Sequence, residues 1–205
     1  MTGDEGMRAG ARAARRLAEL GVCELGPGLS EAEFGRIEAE YGIVFADDHR
    51  GFLAAGLPVG RAAPPEEGES PRNPWPDWRG GDPALLRERL EWPVEGLLFS
   101  VEHGWWLPGG GWGVRPADAV EAVAAARAAL ASVPKLIPVY GHRYLPSREP
   151  CGSPVLSMYG ADIIHYGRDL ADWVEREFVG WEAGAAEGPS PADGSGPPFW
   201  SELVL

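Results

Sequence analysis

At 205 residues, with 44% hydrophobic and 24% charged residues and nine tryptophans, the chain suits one folded domain with extensions and excludes a fully disordered polymer. Its formal charge of −13 excludes a phosphate backbone as a direct partner and favours a basic protein. Lone Cys23 and Cys151 give no CxxC spacing, so neither a zinc site nor a disulfide framework is expected.

In chain order, Met7, Ala11, Ala14, Leu17 and Ala18 fall at helical spacing and predict a weak helix over 7–20. Ser30 and Glu33 form a capping box, in which each side chain satisfies an unpaired backbone donor of the other residue, and Leu29 is set for the accompanying staple. Phe34, Ile37 and Tyr41 follow as a buried stripe, and a short helix is expected around Asp48–Ala55. Residues 58–84 are rich in proline and glycine and read as a long loop carrying Trp75 and Trp78. Asp82 and Pro83 open a short helix ending near Leu90, after which 96–101 (GLLFSV) reads as a strand and 104–114 as a Gly-rich hairpin.

Asp118 and Glu121 repeat the capping signature before a helix along which Val120, Val123, Ala124, Arg127 and Leu130 follow, and which Pro134 stops. Segments 135–140, 154–159 and 161–166 have strand composition, the last two pairing about Gly160. A final helix from Asp169 to Phe178 buries Leu170, Trp173, Val174 and Phe178. The stretch 180–198 reads as a linker, and the apolar end Phe199–Leu205 is expected to pack back. The resulting division is 1–27 as an N-terminal helical extension, 28–180 as the domain, and 181–205 as linker and terminal segment.

Enzyme signatures are missing: there is no P-loop, no GxGxxG after a strand, no GxSxG and no HExxH. His49, His103, His142 and His165 are scattered without metal-ligand spacing, so no catalytic residue, metal or cofactor is assigned. Binding residues are sought instead. Trp75, Trp78 and Arg79 have the side chains enriched at interface hot spots, and Gly141–Pro146 reads as a polar loop presenting His142, Arg143 and Tyr144. Residues 162–205 hold nine acids and two arginines, which places −7 of the charge there and makes Asp169, Asp172 and Glu175 candidates for meeting a basic partner.

Several strings then acquire a common meaning: FGRIEAEYGIVFADDHRGFL (34–53), PDWR (76–79), WPVEGLLFSVE (92–102), LIPVYGHRYLPS (136–147), SPVLSMYGADIIHYGRDLADWVEREF (153–178) and PFWSEL (198–203). In this order they resemble a bacterial branch of the SUKH superfamily, which includes a fungal cell-wall-assembly regulator and many toxin-immunity proteins. Met158, Gly160, Ala161 and His165 depart from the pattern. The resemblance implies an α+β fold, a mostly antiparallel β-sheet flanked by helices, and intracellular protein binding without catalysis. The expected function is a cytoplasmic, non-enzymatic protein-binding domain, with occlusion of a basic toxin's active site as its leading form and no nucleic-acid or membrane partner. A regulatory scaffold without a toxin is the alternative, and a small hydrolase using His142 the distant one.

Overall fold

The computed structural model describes residues 3–60, 74–107, 111–147, 152–180, 199–200 and 203. In chain order its elements are α1 (Gly3–Leu20), β1 (Glu24–Gly26), α2 (Glu31–Tyr41), α3 (Asp47–Ala55), β2 (Leu57–Val59), α4 (Pro83–Glu102) and α5 (Ala119–Leu130). Strands β3 (Leu136–Tyr140), β4 (Arg143–Pro146), β5 (Val155–Tyr159) and β6 (Asp162–Gly167) and helix α6 (Leu170–Phe178) complete them. The fold is α+β: β3-β4-β5-β6 make an antiparallel meander, and β1 and β2 a separate antiparallel ribbon.

The meander is the middle layer. Ile137, Val139, Leu145 and Val155 on one face share a core with α1, α2, α3 and α6. Leu136, Tyr144, Leu156, Met158 and Ile163 on the other pack with α4, α5, Trp200 and Leu203. Because both faces are covered, the strands read as continuous apolar runs rather than as apolar–polar alternation. Segments 136–140, 155–159 and 162–167 are strands as expected, and the last pair turns at Gly160, whose φ of 60° is cheap only for glycine. The terminal segment also packs back, with Trp200 Nε1 donating to the Pro134 carbonyl at 2.8 Å.

Local chemistry sets the helix starts. Ser30 and Glu33 make the predicted capping box at α2, and Asp82, Asp118 and Asp169 cap α4, α5 and α6 with their carboxylates. On α2 the predicted stripe Phe34, Ile37 and Tyr41 is buried. On α5 the stripe is instead Ala122, Ala126 and Leu130, and Val120 faces outward, because small residues let this helix lie close against α4.

Four expectations are corrected. Residues 96–101 are not a strand but the second half of α4, a 20-residue helix that runs through Pro93. Proline supplies no N–H, so the Arg89 carbonyl one turn earlier loses its helical donor, and Tyr144 Oη donates to it from the sheet at 3.0 Å. Residues 143–146 are not a polar loop but strand β4, buried throughout between β3 and β5. The predicted hairpin over 104–114 has no strand among its described residues, which are turn, bend and irregular backbone. Nor is α1 a separable extension: Ala13, Ala14 and Leu17 are buried in the shared core. A Cβ on Gly10 would lie 1.8 Å from the Asp48 carbonyl oxygen of α3, and one on Gly51 2.2 Å from that of Met7, so the two backbones touch at glycines. Residues 61–73 of the predicted loop and 181–198 of the predicted linker lie outside the described residues.

The Pro93–Tyr144 arrangement is testable by a double-mutant cycle. Tyr144→Phe should cost about 1–2 kcal/mol by leaving a carbonyl unpaired. In a Pro93→Ala background, where residue 93 regains its N–H, the same substitution should cost less. Equal costs from urea unfolding in both backgrounds would show that the hydroxyl does not serve the Arg89 carbonyl.

Candidate interaction surface

The tryptophans proposed as surface anchors are core residues. Trp75 is buried with its ring 4.7 Å from Tyr140 and stacked at 6.1 Å on Phe178, and Trp78 packs 5.4 Å from Phe45 and 6.1 Å from Tyr41. Rings in these positions anchor the segment 74–82 to the helices and cannot enter a partner's pocket. Arg79 beside them is a clamp. Its Nε donates to Glu33 at 2.6 Å, while Nη1 and Nη2 donate to the Pro27 and Gly28 carbonyls, each at 2.8 Å. The bond from Arg79, together with those from Ser30, pulls the Glu33 carboxyl down to about 2.

The His142–Arg143–Tyr144 group is divided by the strand it lies on. His142 sits exposed in the turn between β3 and β4, where its carbonyl accepts the Met158 N–H at 3.0 Å. Partial shielding of its ring, and the adjacent Arg143, hold its pKa below the ordinary histidine value. Arg143 is buried: Nε donates to Glu177 at 2.9 Å, Nη1 donates to Ser157 Oγ at 2.8 Å, and the guanidinium lies 3.7 Å from the Tyr166 ring centroid. Tyr144 is buried too, so no three-residue polar cluster faces solvent.

The acids of α6 are largely engaged within the molecule. Asp169 caps the helix. Asp172 accepts from Arg168 at 3.0 Å and from Arg176 at 2.8 Å; partial burial raises its pKa, but these bonds prevail and hold it low. Glu175 pairs with Arg16 of α1 at 2.6 Å, and Glu177 with Arg143. This helix is therefore stitched to α1 and to the sheet, and its carboxylates form no unpaired acidic face.

A different surface emerges on α4. Leu85, Trp92 and Phe99 are 57%, 41% and 63% exposed, and they stand seven residues apart on the side of the helix opposite buried Leu86, Leu97 and Val101. Beside Phe99 a depression of about 410 Å³ opens between α4 and α5, lined by Glu95, Glu102, Val120, Val123 and Arg127. Val120 is 76% exposed, and Glu95 holds Arg127 in a two-pronged pair at 2.8 and 3.2 Å. The His103 ring stacks on Phe99 at 4.2 Å and continues the strip to the helix end. Reading 83–102 as one helix would have revealed this stripe; ending the helix near Leu90 and taking 96–101 as a strand concealed it.

Asp48 and His49 are buried titratable neighbours on α3. The Asp48 carboxylate accepts the backbone N–H groups of Gly152 at 2.7 Å and His49 at 2.9 Å, and burial raises its pKa. His49 lies against Phe45 at 5.1 Å with Nδ1 unpartnered, and burial pushes its pKa down to about 3. Among the described residues no group of three or more His, Cys, Asp and Glu is placed to hold a metal ion. Likewise among them, no helix is long and apolar enough to cross a membrane.

Two predictions follow from these environments. Glu177→Ala leaves buried Arg143 without its carboxylate and should cost about 2–4 kcal/mol, below the usual loss for a fully buried pair because Glu177 keeps some solvent contact. Glu175→Ala, at the surface, should cost far less. Urea denaturation of both variants checks the ranking, and equal losses would remove the structural role given to Arg143–Glu177. For His49, the folded pKa lies below the unfolded value, so below pH 6.5 the unfolded chain binds a proton that the folded chain refuses. Its contribution is thus complete above pH 6.5 and is lost as pH falls toward 3. His49→Leu should flatten the stability profile between pH 6.5 and 5 by up to about 1.4 kcal/mol per pH unit. An unchanged slope would mean that the imidazole titrates normally.

Comparison with known proteins adds no family: no protein-family model, no curated protein and no solved structure matches the chain.

Proposed function

We propose that this protein is a non-enzymatic, cytoplasmic protein-binding domain that acts by covering a basic partner, in the manner of an immunity or regulatory protein of the SUKH type. The observation that carries the reading is the apolar stripe of α4, with exposed Glu91 and Glu102 on the same helix, on a chain with a net charge of −13. Soluble domains rarely leave regularly spaced large apolar side chains in water without a use, and an acidic border selects the sign of what covers them. The resemblance in sequence order supplies the immunity-type role, in which the chain would occupy the basic active site of a toxin. Asp169, Asp172 and Glu175 do not supply this border, because they are bonded within the fold.

The test is capture of a partner from native cytoplasm by the purified protein, identification by mass spectrometry, and binding kinetics with the purified partner at two salt concentrations. The partner should be basic. The association rate should fall about tenfold between low and physiological salt, where the Debye length shrinks to roughly 8 Å, while dissociation changes little. Where the partner is toxic, co-expression should restore growth. An acidic partner, or an association rate indifferent to salt, would refute the charge-steered reading.

A further inference from the structure

We infer that the outer face of α4, together with the α4–α5 groove, is the docking site for a basic amphipathic helix presented by the partner. This deepens the protein-binding reading and depends on it.

Three observations converge on one occupant. The first is shape. Leu85, Trp92 and Phe99 recur every two helical turns and extend over about 21 Å of α4, enough for a helix of roughly four turns lying alongside. A helix laid on two helices inserts its own side chains at i, i+3, i+4 and i+7, and the depression between Phe99 and Val120 offers a seat for one of them. Ring and isopropyl groups there stand proud of Leu98 and Val123, which form the floor.

The second is charge. Glu91, Glu102 and Glu121 lie exposed along this surface. Of the cations nearby, Arg127 lines the groove and neutralises Glu95, Arg87 pairs with Glu40, and Arg115 donates to the Val101 carbonyl, so the three free carboxylates outnumber the unpaired positive charge. The border is therefore acidic, and lysines or arginines flanking an apolar stripe would complement it. A second copy of this chain would not, because Glu91, Glu102 and Glu121 would then meet their own kind.

The third is rigidity. At Gly96 helix α4 rests on the β5–β6 hairpin, where a Cβ would lie 3.3 Å from Gly160. Ser100 Oγ accepts the Ala161 N–H at 3.1 Å and donates to the Gly96 carbonyl at 3.0 Å. The docking face is thus held from behind before any partner arrives, which limits the ordering cost of association.

The experiment uses the full chain and a fluorescent synthetic helix of leucine and lysine, about 18 residues long, with the leucines on one face. A scrambled peptide of the same composition and a leucine–glutamate version serve as controls. Anisotropy should give micromolar binding for the amphipathic basic helix, at least about tenfold weaker binding for the scrambled one, and none for the acidic one. Phe99→Ser combined with Val120→Ser should weaken binding about tenfold. Val114→Ser, at an almost fully exposed apolar residue outside the groove, should leave it unchanged. Matching thermal melts show that the variants fold; if the double variant does not, Trp92→Ser replaces it.

No binding at about 1 mM peptide overturns the site. Equal binding of the scrambled helix, or equal losses at Val114 and at Phe99 with Val120, does the same by reducing the effect to non-specific charge attraction. An identified native partner that binds the wild type and the double variant alike removes this site while leaving the protein-binding reading intact. Failure to capture any basic partner removes that reading itself, whatever the peptide does.

Discussion

A hydroxyl-to-carbonyl bond joins helix α4 to strand β4 at the point where Pro93 removes the helical donor. Pro93 would ordinarily end or kink a helix, because it leaves the Arg89 carbonyl without a donor. Tyr144 Oη supplies that donor from strand β4 at 3.0 Å, and α4 runs on through Pro93 to a length of 20 residues. Continuity of α4 is what aligns Leu85, Trp92 and Phe99 along one line of solvent-facing positions. Broken at Pro93, the two half-helices would point these side chains in unrelated directions. The proposed docking face therefore lies on a helix whose proline gap is filled by a buried tyrosine of the sheet behind it.

Charge is distributed by the same logic. The most acidic stretch by composition is the C-terminal quarter, yet the carboxylates of α6 are turned inward to structural tasks. Asp169 caps the helix, Glu175 ties α6 to α1, and Glu177 neutralises Arg143 where the strand is buried. A carboxylate beside an arginine at 2.6–2.9 Å is poorly available to a partner, because its replacement bond must first be broken. The acids along α4 and α5 retain their long-range field, since only Glu95 among those flanking the groove is closely paired with a cation there. Local pairing, and not residue count, decides which acidic surface can steer.

Aromatic residues follow a parallel rule. Trp75 and Trp78 have the side chains of binding hot spots but sit within 4.7–6.1 Å of Tyr140, Phe178, Phe45 and Tyr41, where they close the core. Trp92, on the outer side of α4, is 41% exposed. The glycine contacts between α1 and α3 have the same character: Gly10 and Gly51 admit an approach that any side chain would block, and so turn a seemingly weak N-terminal helix into part of the core.

What could be read from residue order alone was whatever depends on neighbours within a few positions. The capping pair Ser30 and Glu33, the caps Asp118 and Asp169, the stripe of α2 and the β5–β6 turn at Gly160 all fall in this group, since each rests on a bond or steric preference closed locally. The resemblance strings likewise named a fold type but no binding residue. The rest required partners distant in sequence. GLLFSV has the composition of either a strand or a buried helix, and Tyr144, 51 positions after Pro93, settled it as helix by satisfying Arg89. Gly141–Pro146 looked polar because Arg143 carries a charge, and only Glu177 and Ser157 across the fold allow that charge inside a strand. Whether a tryptophan or a carboxylate faces inward or outward is likewise fixed by what packs on it from elsewhere. Local sequence therefore settled where most elements begin, and tertiary contacts settled which of their faces remained open to a partner.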